Sequence, residues 1–241
     1  PGCTKISIES VNSISSLLSK CSLNLKALTL NFNKWQQLGE QYIKTLRRGI
    51  TKNPNLKLFH LFIREVSLEK QVYDELVQLF SELKNISSFK FHSDSSWAEP
   101  YRLLKSLEFF TKLTELELRV VIYKESSDSD IFQLIGQIPN LESLSLSFQP
   151  TNCSPERFNI LSESFASLKN LTELNLEFKW TAINDQAARF LFSSLTKLTA
   201  VNRINLSIAC SKNITPLALV DIPQFLGEIS SLEQVDLNFT K

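Results

Sequence analysis

His60 and His92 are the two histidines of the chain, and metal or acid–base chemistry would have to start from them. With Asp94 they make two imidazoles and one carboxylate, a thinner set than the three or four ligands of a zinc site. Aligning the internal repeats sets His60 beside Lys90 and Phe62 beside His92 on adjacent strands. The two rings then stand on a diagonal of about 7–8 Å and read as polar groups on a solvated face. Carboxylates are better supplied, at Glu115, Glu117, Glu142, Glu173 and Glu177. A glycosidase pair needs an enclosing cleft and one desolvated acid. Outward positions on an open sheet offer neither, so these groups read as an acidic interaction surface. The five glycines, at positions 2, 39, 49, 136 and 227, build no phosphate loop. No G-x-S-x-G or H-E-x-x-H motif occurs. Cys3, Cys21, Cys153 and Cys210 contain no C-x-x-C pair, which argues against a zinc ribbon or redox motif. The expectation is a non-enzymatic chain with no catalytic residues, cofactor or metal.

What would position these side chains is an internal repeat. NLKALTLNF (24–32), NLKLFHLFI (55–63), NISSFKFHS (85–93) and KLTELELRV (112–120) align without gaps with NLESLSLSF (140–148), NLTELNLEF (170–178), AVNRINLSI (200–208) and SLEQVDLNF (231–239). The intervals between their second residues are 31, 30, 27, 28, 30, 30 and 31. Alternation of period two within each stretch marks a strand with one buried face. Between strands there is room for one helix. Apolar residues at helical spacing predict helices over 40–50 (Ile43, Leu46, Ile50), 69–83 (Val72, Leu76, Leu79, Phe80), 156–168 (Phe158, Leu161, Phe165) and 185–198 (Ala188, Leu191, Leu195). Ser154 before Pro155 reads as a helix cap, and Asp130 and Asp185 place negative charge at helix starts. Asp221-Ile222-Pro223 predicts another helix start after a long loop over 209–220. Cys3, Ile6 and Ile8 read as a degenerate leading repeat.

A strand and a helix in each interval of 27–31 residues resembles the ribonuclease-inhibitor-like subclass of leucine-rich repeats, here in an elongated form of about 30 residues. The resemblance covers nearly the whole chain. It implies an α/β horseshoe solenoid of about eight repeats, with a parallel β-sheet on the concave face and helices on the convex face. One unit cannot bury its apolar strand face alone, so neighbours stack and terminal units need caps. The expected organisation is a single domain over 1–241, with 1–23 as an N-terminal cap, 24–241 as eight repeats, the last truncated, and more protein or a partner beyond. Two departures from the family stand out. Its asparagine position is filled by Asn33, Arg64, Asp94, Val121, Gln149, Lys179, Ala209 and Thr240. The position before it is apolar in seven of the eight repeats, at Phe32, Ile63, Val120, Phe148, Phe178, Ile208 and Phe239. The asparagine turn is thus expected to give way to additional strand, carrying Trp180 inward as well.

Composition sets the outer bounds. The chain has 241 residues, 43% hydrophobic and 21% charged, as in soluble globular proteins. No apolar run is long enough to span a membrane. A net charge of +1 gives no general pull toward nucleic acid. Residues 1–120 hold 17 Lys/Arg against 12 Asp/Glu, and residues 121–241 hold 9 against 13, so the chain is dipolar along its length. Scattered cysteines fit reduced thiols in a cytoplasmic setting, and similar elongated repeats occur in ciliary and cytoskeletal proteins. Six N-x-S/T sequons, at Asn85, Asn152, Asn170, Asn205, Asn213 and Asn238, together with a Cys3–Cys21 bridge would suit a secreted, glycosylated alternative. They read mainly as by-products of the repeat.

In a parallel stack the residues between inward leucines point outward together. The outward set includes Lys26, Leu58, His60, Phe62, Lys90 and His92, then Glu115, Glu117 and Arg119, then Glu173, Asn175, Glu177 and Arg203. Such a concave face, or the exposed ends of the solenoid, would take a protein partner, with Leu58 and Phe62 as an apolar anchor point on the face. The expected function is a protein-interaction or scaffold module of a larger assembly; the alternative is a regulatory region attached to a catalytic domain outside this segment.

Overall fold

The computed structural model describes all residues except 1–5, 22–23, 36–37, 67, 95–99, 123–127, 151–154, 180–182, 210–213 and 240–241. The chain is α/β, built of repeats in which parallel strands alternate with helices. It divides into two compact units, Pro1–Leu113 and Thr114–Lys241.

The first unit runs α1 (Ile8–Lys20), β1 (Ala27–Asn31), α2 (Glu40–Ile50), β2 (Leu58–Ile63), α3 (Lys70–Glu82), β3 (Ser88–Ser93) and α4 (Pro100–Lys105), then a 3₁₀ turn over Ser106–Phe109. β1, β2 and β3 pair in parallel, with Leu28 opposite Phe59 and Leu61 opposite Phe91. Inward side chains close on α3 through a phenylalanine cluster. Phe80 lies 5.0 Å from Phe89 and 6.1 Å from Phe110, and Phe89 lies 5.0 Å from Phe110. Each such pair adds about 0.5–1.5 kcal/mol beyond its buried area.

The second unit runs β4 (Glu115–Ile122), α5 (Asp128–Gly136), β5 (Ser143–Pro150), α6 (Pro155–Ser167), β6 (Glu173–Lys179), α7 (Asp185–Leu195), β7 (Arg203–Ala209), α8 (Pro216–Leu219), α9 (Ile222–Gly227) and β8 (Gln234–Asn238). These strands too are parallel and in register, with Leu118, Leu146, Leu176, Leu206 and Leu237 forming one inward row. Leu146, Leu176 and Leu206 are fully buried, whereas Leu237 is 38% exposed.

Register is locked at the start of the strands. The carbonyl of Lys26 accepts the successive amides of Lys57 and Leu58, and that of Lys57 accepts those of Ser87 and Ser88. Thr114, Glu142, Thr172 and Asn202 repeat the pattern in the second unit. A one-residue slip would break all of these bonds and turn the leucines outward.

Several expectations are corrected. Ile8 opens helix α1, capped by Ser7, instead of a leading strand. The loop expected over 209–220 contains α8, which Thr215 caps. The replacement of the asparagine turn by strand occurs in the second unit, where β4 to β7 are seven or eight residues long. In the first unit β1 to β3 are five or six residues long, and Lys34 and Glu65 turn the chain with φ of 65° and 57°. The reason is local chemistry. Asn33 Oδ1 accepts the Arg64 amide at 2.8 Å, and Asp94 Oδ1 accepts the Glu65 amide. Asn33 and Asp94 are the two Asx residues at the asparagine position; Val121 and Ala209 carry no such acceptor and continue the strand. Phe32, Val120, Phe178 and Ile208 are buried as expected. Ser154, Trp97, Trp180, Cys3, Cys153, Cys210, Asn152 and Asn213 lie outside the described residues, and Cys21 is exposed.

Two sequons have a structural use. Asn85 Nδ2 donates to Pro54 O at 2.9 Å, and Asn170 Nδ2 donates to Pro139 O at 3.1 Å. Each amide ties its repeat to the one before.

The helices pack through small residues. Ser15 on α1 donates its hydroxyl to Thr45 O at 2.7 Å, one turn before Gly49. Ser164 on α6 donates to Phe132 O at 2.7 Å, one turn before Gly136. A Cβ on Gly49 would lie 2.9 Å from Ser15 Cα, and one on Gly136 would lie 2.9 Å from Ser164 Cα. Exposed Gly→Ala changes in helices gain about 1 kcal/mol. Here overpacking reverses the sign, so Gly49→Ala and Gly136→Ala should each lose about 1–3 kcal/mol in denaturant unfolding. Gly227→Ala, with nothing within 4 Å, should be neutral or mildly stabilising.

Charged groups within this layer follow their surroundings. Burial opposes the charge on Arg47, yet its bonds to Glu82 and Glu75 outweigh that and raise its pKa. Glu75 is itself buried and accepts from Arg47 Nε at 3.0 Å. Thr215 donates both its hydroxyl and its amide to Asp185, holding that carboxyl below its usual pKa. Burial pushes the Tyr73 phenol from 10.0 up to about 12. The folded state thus favours the protonated phenol. Its contribution is complete below pH 10 and is lost as pH rises toward 12. Across that window Tyr73 steepens the loss of stability by less than about 1.4 kcal/mol per pH unit, because the group is partly solvated. Alkaline titration of the melting temperature should be flatter in Tyr73→Phe than in the parent chain.

Candidate interaction face

The alternation that buries Phe59, Leu61 and Ile63 on β2 turns Leu58, His60 and Phe62 to the opposite face. All three are half-buried. Lys90 and His92 share that face on β3, with His60 opposite Lys90 and Phe62 opposite His92 as the repeat alignment requires. The His92 ring packs edgewise on Phe62, with centroids 4.7 Å apart. His60 Nε2 lies 3.4 Å from Ser88 Oγ. Asp94 does not join the histidines. It sits at the strand ends, 3.5 Å from Arg64 Nε and bonded to the Glu65 amide. Among the described residues no group of three His, Cys, Asp or Glu side chains could hold a metal ion. On β1 the outward residues are Ala27, Thr29 and Asn31, opposite Leu58, His60 and Phe62; Lys26 belongs to the segment before the strand.

In the second unit Glu115, Glu117 and Arg119 share the outward face of β4, and Glu173, Asn175 and Glu177 share that of β6. Between them β5 presents Ser143, Ser145 and Ser147. Arg203 follows on β7, opposite Glu173. The sequence reads these carboxylates as an acidic surface; the structure places cations among them. Arg203 Nη1 bonds Glu173 Oε1 at 2.7 Å, and Arg203 Nε bonds Gln234 Oε1 at 3.2 Å. Arg119 Nη2 reaches Glu177 Oε2 at 3.1 Å, and the Ser147 hydroxyl donates to the same oxygen at 2.8 Å. Asn175 Nδ2 donates to Ser145 Oγ at 3.0 Å. The repeat alignment also turns Ser145, Ser147 and Gln234 outward; that they bond Asn175, Glu177 and Arg203 depends on side-chain reach, which the alignment does not give.

On this face Glu173 and Glu177 are held by arginine and hydroxyl donors. The ion pairs are exposed and each contributes about 0–1 kcal/mol. Arg119→Ala and Glu177→Gln should therefore shift unfolding by less than about 1 kcal/mol. Leu176→Ala, one residue away but buried, should cost about 2–5 kcal/mol in the same measurement.

No family model matches the chain. Among curated proteins it is similar to the probable serine/threonine-protein kinase pats1 of Dictyostelium discoideum, 28% identical over 184 residues. That stretch is 76% of this chain and 5% of the length of pats1. Among solved structures, a tropomodulin C-terminal domain from Caenorhabditis elegans aligns with 64% of this chain and 90% of its own, at TM-score 0.47 and 16% identity. A chain of the yeast Rad7 and Elc1 complex aligns with 99% of this chain and 67% of its own, at TM-score 0.41 and 17% identity.

Proposed function

We propose that this chain is a non-enzymatic protein-interaction module that binds a protein partner through the outward face of its strands, as a scaffold element of a larger assembly. One observation supports this most directly. The outward side chains of the second unit are already ordered by lateral bonds that run across strands, from Arg119 through Glu177 to Ser147 and from Glu173 through Arg203 to Gln234. Side chains fixed before association lose less conformational entropy when a partner arrives, so more of the contact energy becomes affinity. A parallel sheet whose inward face is filled by leucine leaves its outward face for this purpose.

A second reading, a regulatory repeat region within a polypeptide that also carries a kinase, is favoured by the similarity to pats1. It uses the same face, with the partner supplied by another part of that polypeptide.

The test is to isolate a partner by affinity enrichment with the intact chain and then map its contact. Reversing Glu115, Glu117, Glu173 and Glu177 together to Lys should weaken the complex about tenfold or more and change its salt dependence. Charge reversals on the helices, such as Lys44→Glu and Glu163→Lys, should leave affinity unchanged. The opposite pattern would move the interface to the helical side and reject the reading.

A further inference from the structure

We propose that the outward face of the first unit is a docking surface for a short acidic protein segment carrying one aliphatic or aromatic anchor. This rests on the reading that the outward strand face is the binding face, and it names the partner's chemistry. Two properties of the face carry it.

The first is an apolar centre with low ground beside it. Leu58 and Phe62 stand outward on β2, and the residues opposite Leu58 are Ala27 and Ser88. Ala27 is small and exposed, so it leaves low ground on which an incoming apolar side chain can settle against Leu58; on the other side Ser88 is buried, with its hydroxyl 3.4 Å from His60 Nε2. The edgewise packing of His92 on Phe62 fixes the ring that forms the far wall.

The second is the balance of charge around that centre. The carboxylates at the ends of the strands are matched within the fold: Asp94 with Arg64, and Glu65 with Lys34 at 3.7 Å. At the opposite ends, just before β1 and β2, Lys26 and Lys57 are exposed. Residues 1–113 as a whole hold 16 Lys/Arg against 10 Asp/Glu, a net charge of +6. An acidic segment lying across the strand starts gains from Lys26 and Lys57, whereas a basic one is repelled by them. The apolar centre selects a protein segment over a nucleic acid, whose affinity would depend on many phosphate contacts.

The experiment pans a displayed library of random peptides of about ten residues on the intact chain and on the variants Phe62→Ser and Lys26→Glu/Lys57→Glu. Circular dichroism and melting confirm that each variant is folded. Peptides rich in Asp and Glu with a Leu, Phe or Trp should be enriched, bind about tenfold or more weakly to either variant, and weaken as salt rises. They should bind unchanged to Glu163→Lys, an exposed residue on α6. The proposal is overturned by an absence of enrichment, by basic or anchorless peptides, by an affinity for the Phe62 or the Lys variant equal to that for the parent chain, or by tighter binding of a single-stranded oligonucleotide. If these peptides fail while the isolated partner still responds to substitutions on the strand face, only this inference falls. A partner that responds to the helix substitutions alone removes the broader reading as well.

Discussion

Parallel, in-register pairing between successive repeats is the constraint on which everything else depends. A single strand of five to eight residues with one helix cannot bury its leucines or satisfy its own backbone. Only a neighbour in the same register does both. The paired amides accepted by Lys26, Lys57, Thr114, Glu142, Thr172 and Asn202 reproduce that register within each unit. Once it is set, every side chain inherits its direction. Leucine and phenylalanine fill the space beneath the helices, and the residues between them are turned to solvent without being selected for packing.

The same constraint has two local solutions at the strand ends. Where an Asx side chain occupies the asparagine position, as at Asn33 and Asp94, its oxygen takes an amide from the adjoining repeat, and the chain turns at Lys34 and Glu65. Where that position holds valine or alanine, the strand keeps its ladder instead. Backbone satisfaction is achieved in both cases. The difference changes how far the outward face extends along each strand, and so how many side chains it presents.

The helical layer answers to a different limit, the closeness of neighbouring helices. Gly49 and Gly136 are needed because serines on the adjoining helices press against them. Buried Glu75, bonded to half-buried Arg47, and the largely buried phenol of Tyr73 show this layer serving as core. Among the described residues the outward strand face is tied by lateral hydrogen bonds and ion pairs and by the packing of His92 on Phe62. Many of its residues are exposed and can change without loss of the fold, which fits the proposed binding role.

How much of this the sequence determined by itself follows from which interactions are periodic. The repeat interval fixed the number of strands, their parallel order and the pairing of His60 with Lys90 and Phe62 with His92, because each depends only on counting. Burial of Phe178 and Ile208 was legible for the same reason. Tertiary structure alone decided features that depend on two side chains meeting at a particular distance. The acidic surface proved to be threaded by Arg119 and Arg203, since a guanidinium reaches a carboxylate on the next strand or the one beyond it, which composition counts separately. Asn85 and Asn170 were ambiguous as sequons until their amides were seen on Pro54 and Pro139. Ile8 fitted a strand pattern but lies in α1, because two apolar residues in alternation are too few to outweigh a capped helix. Gly49 and Gly136 gave no signal at all, because the need for glycine there arises from a serine on another helix.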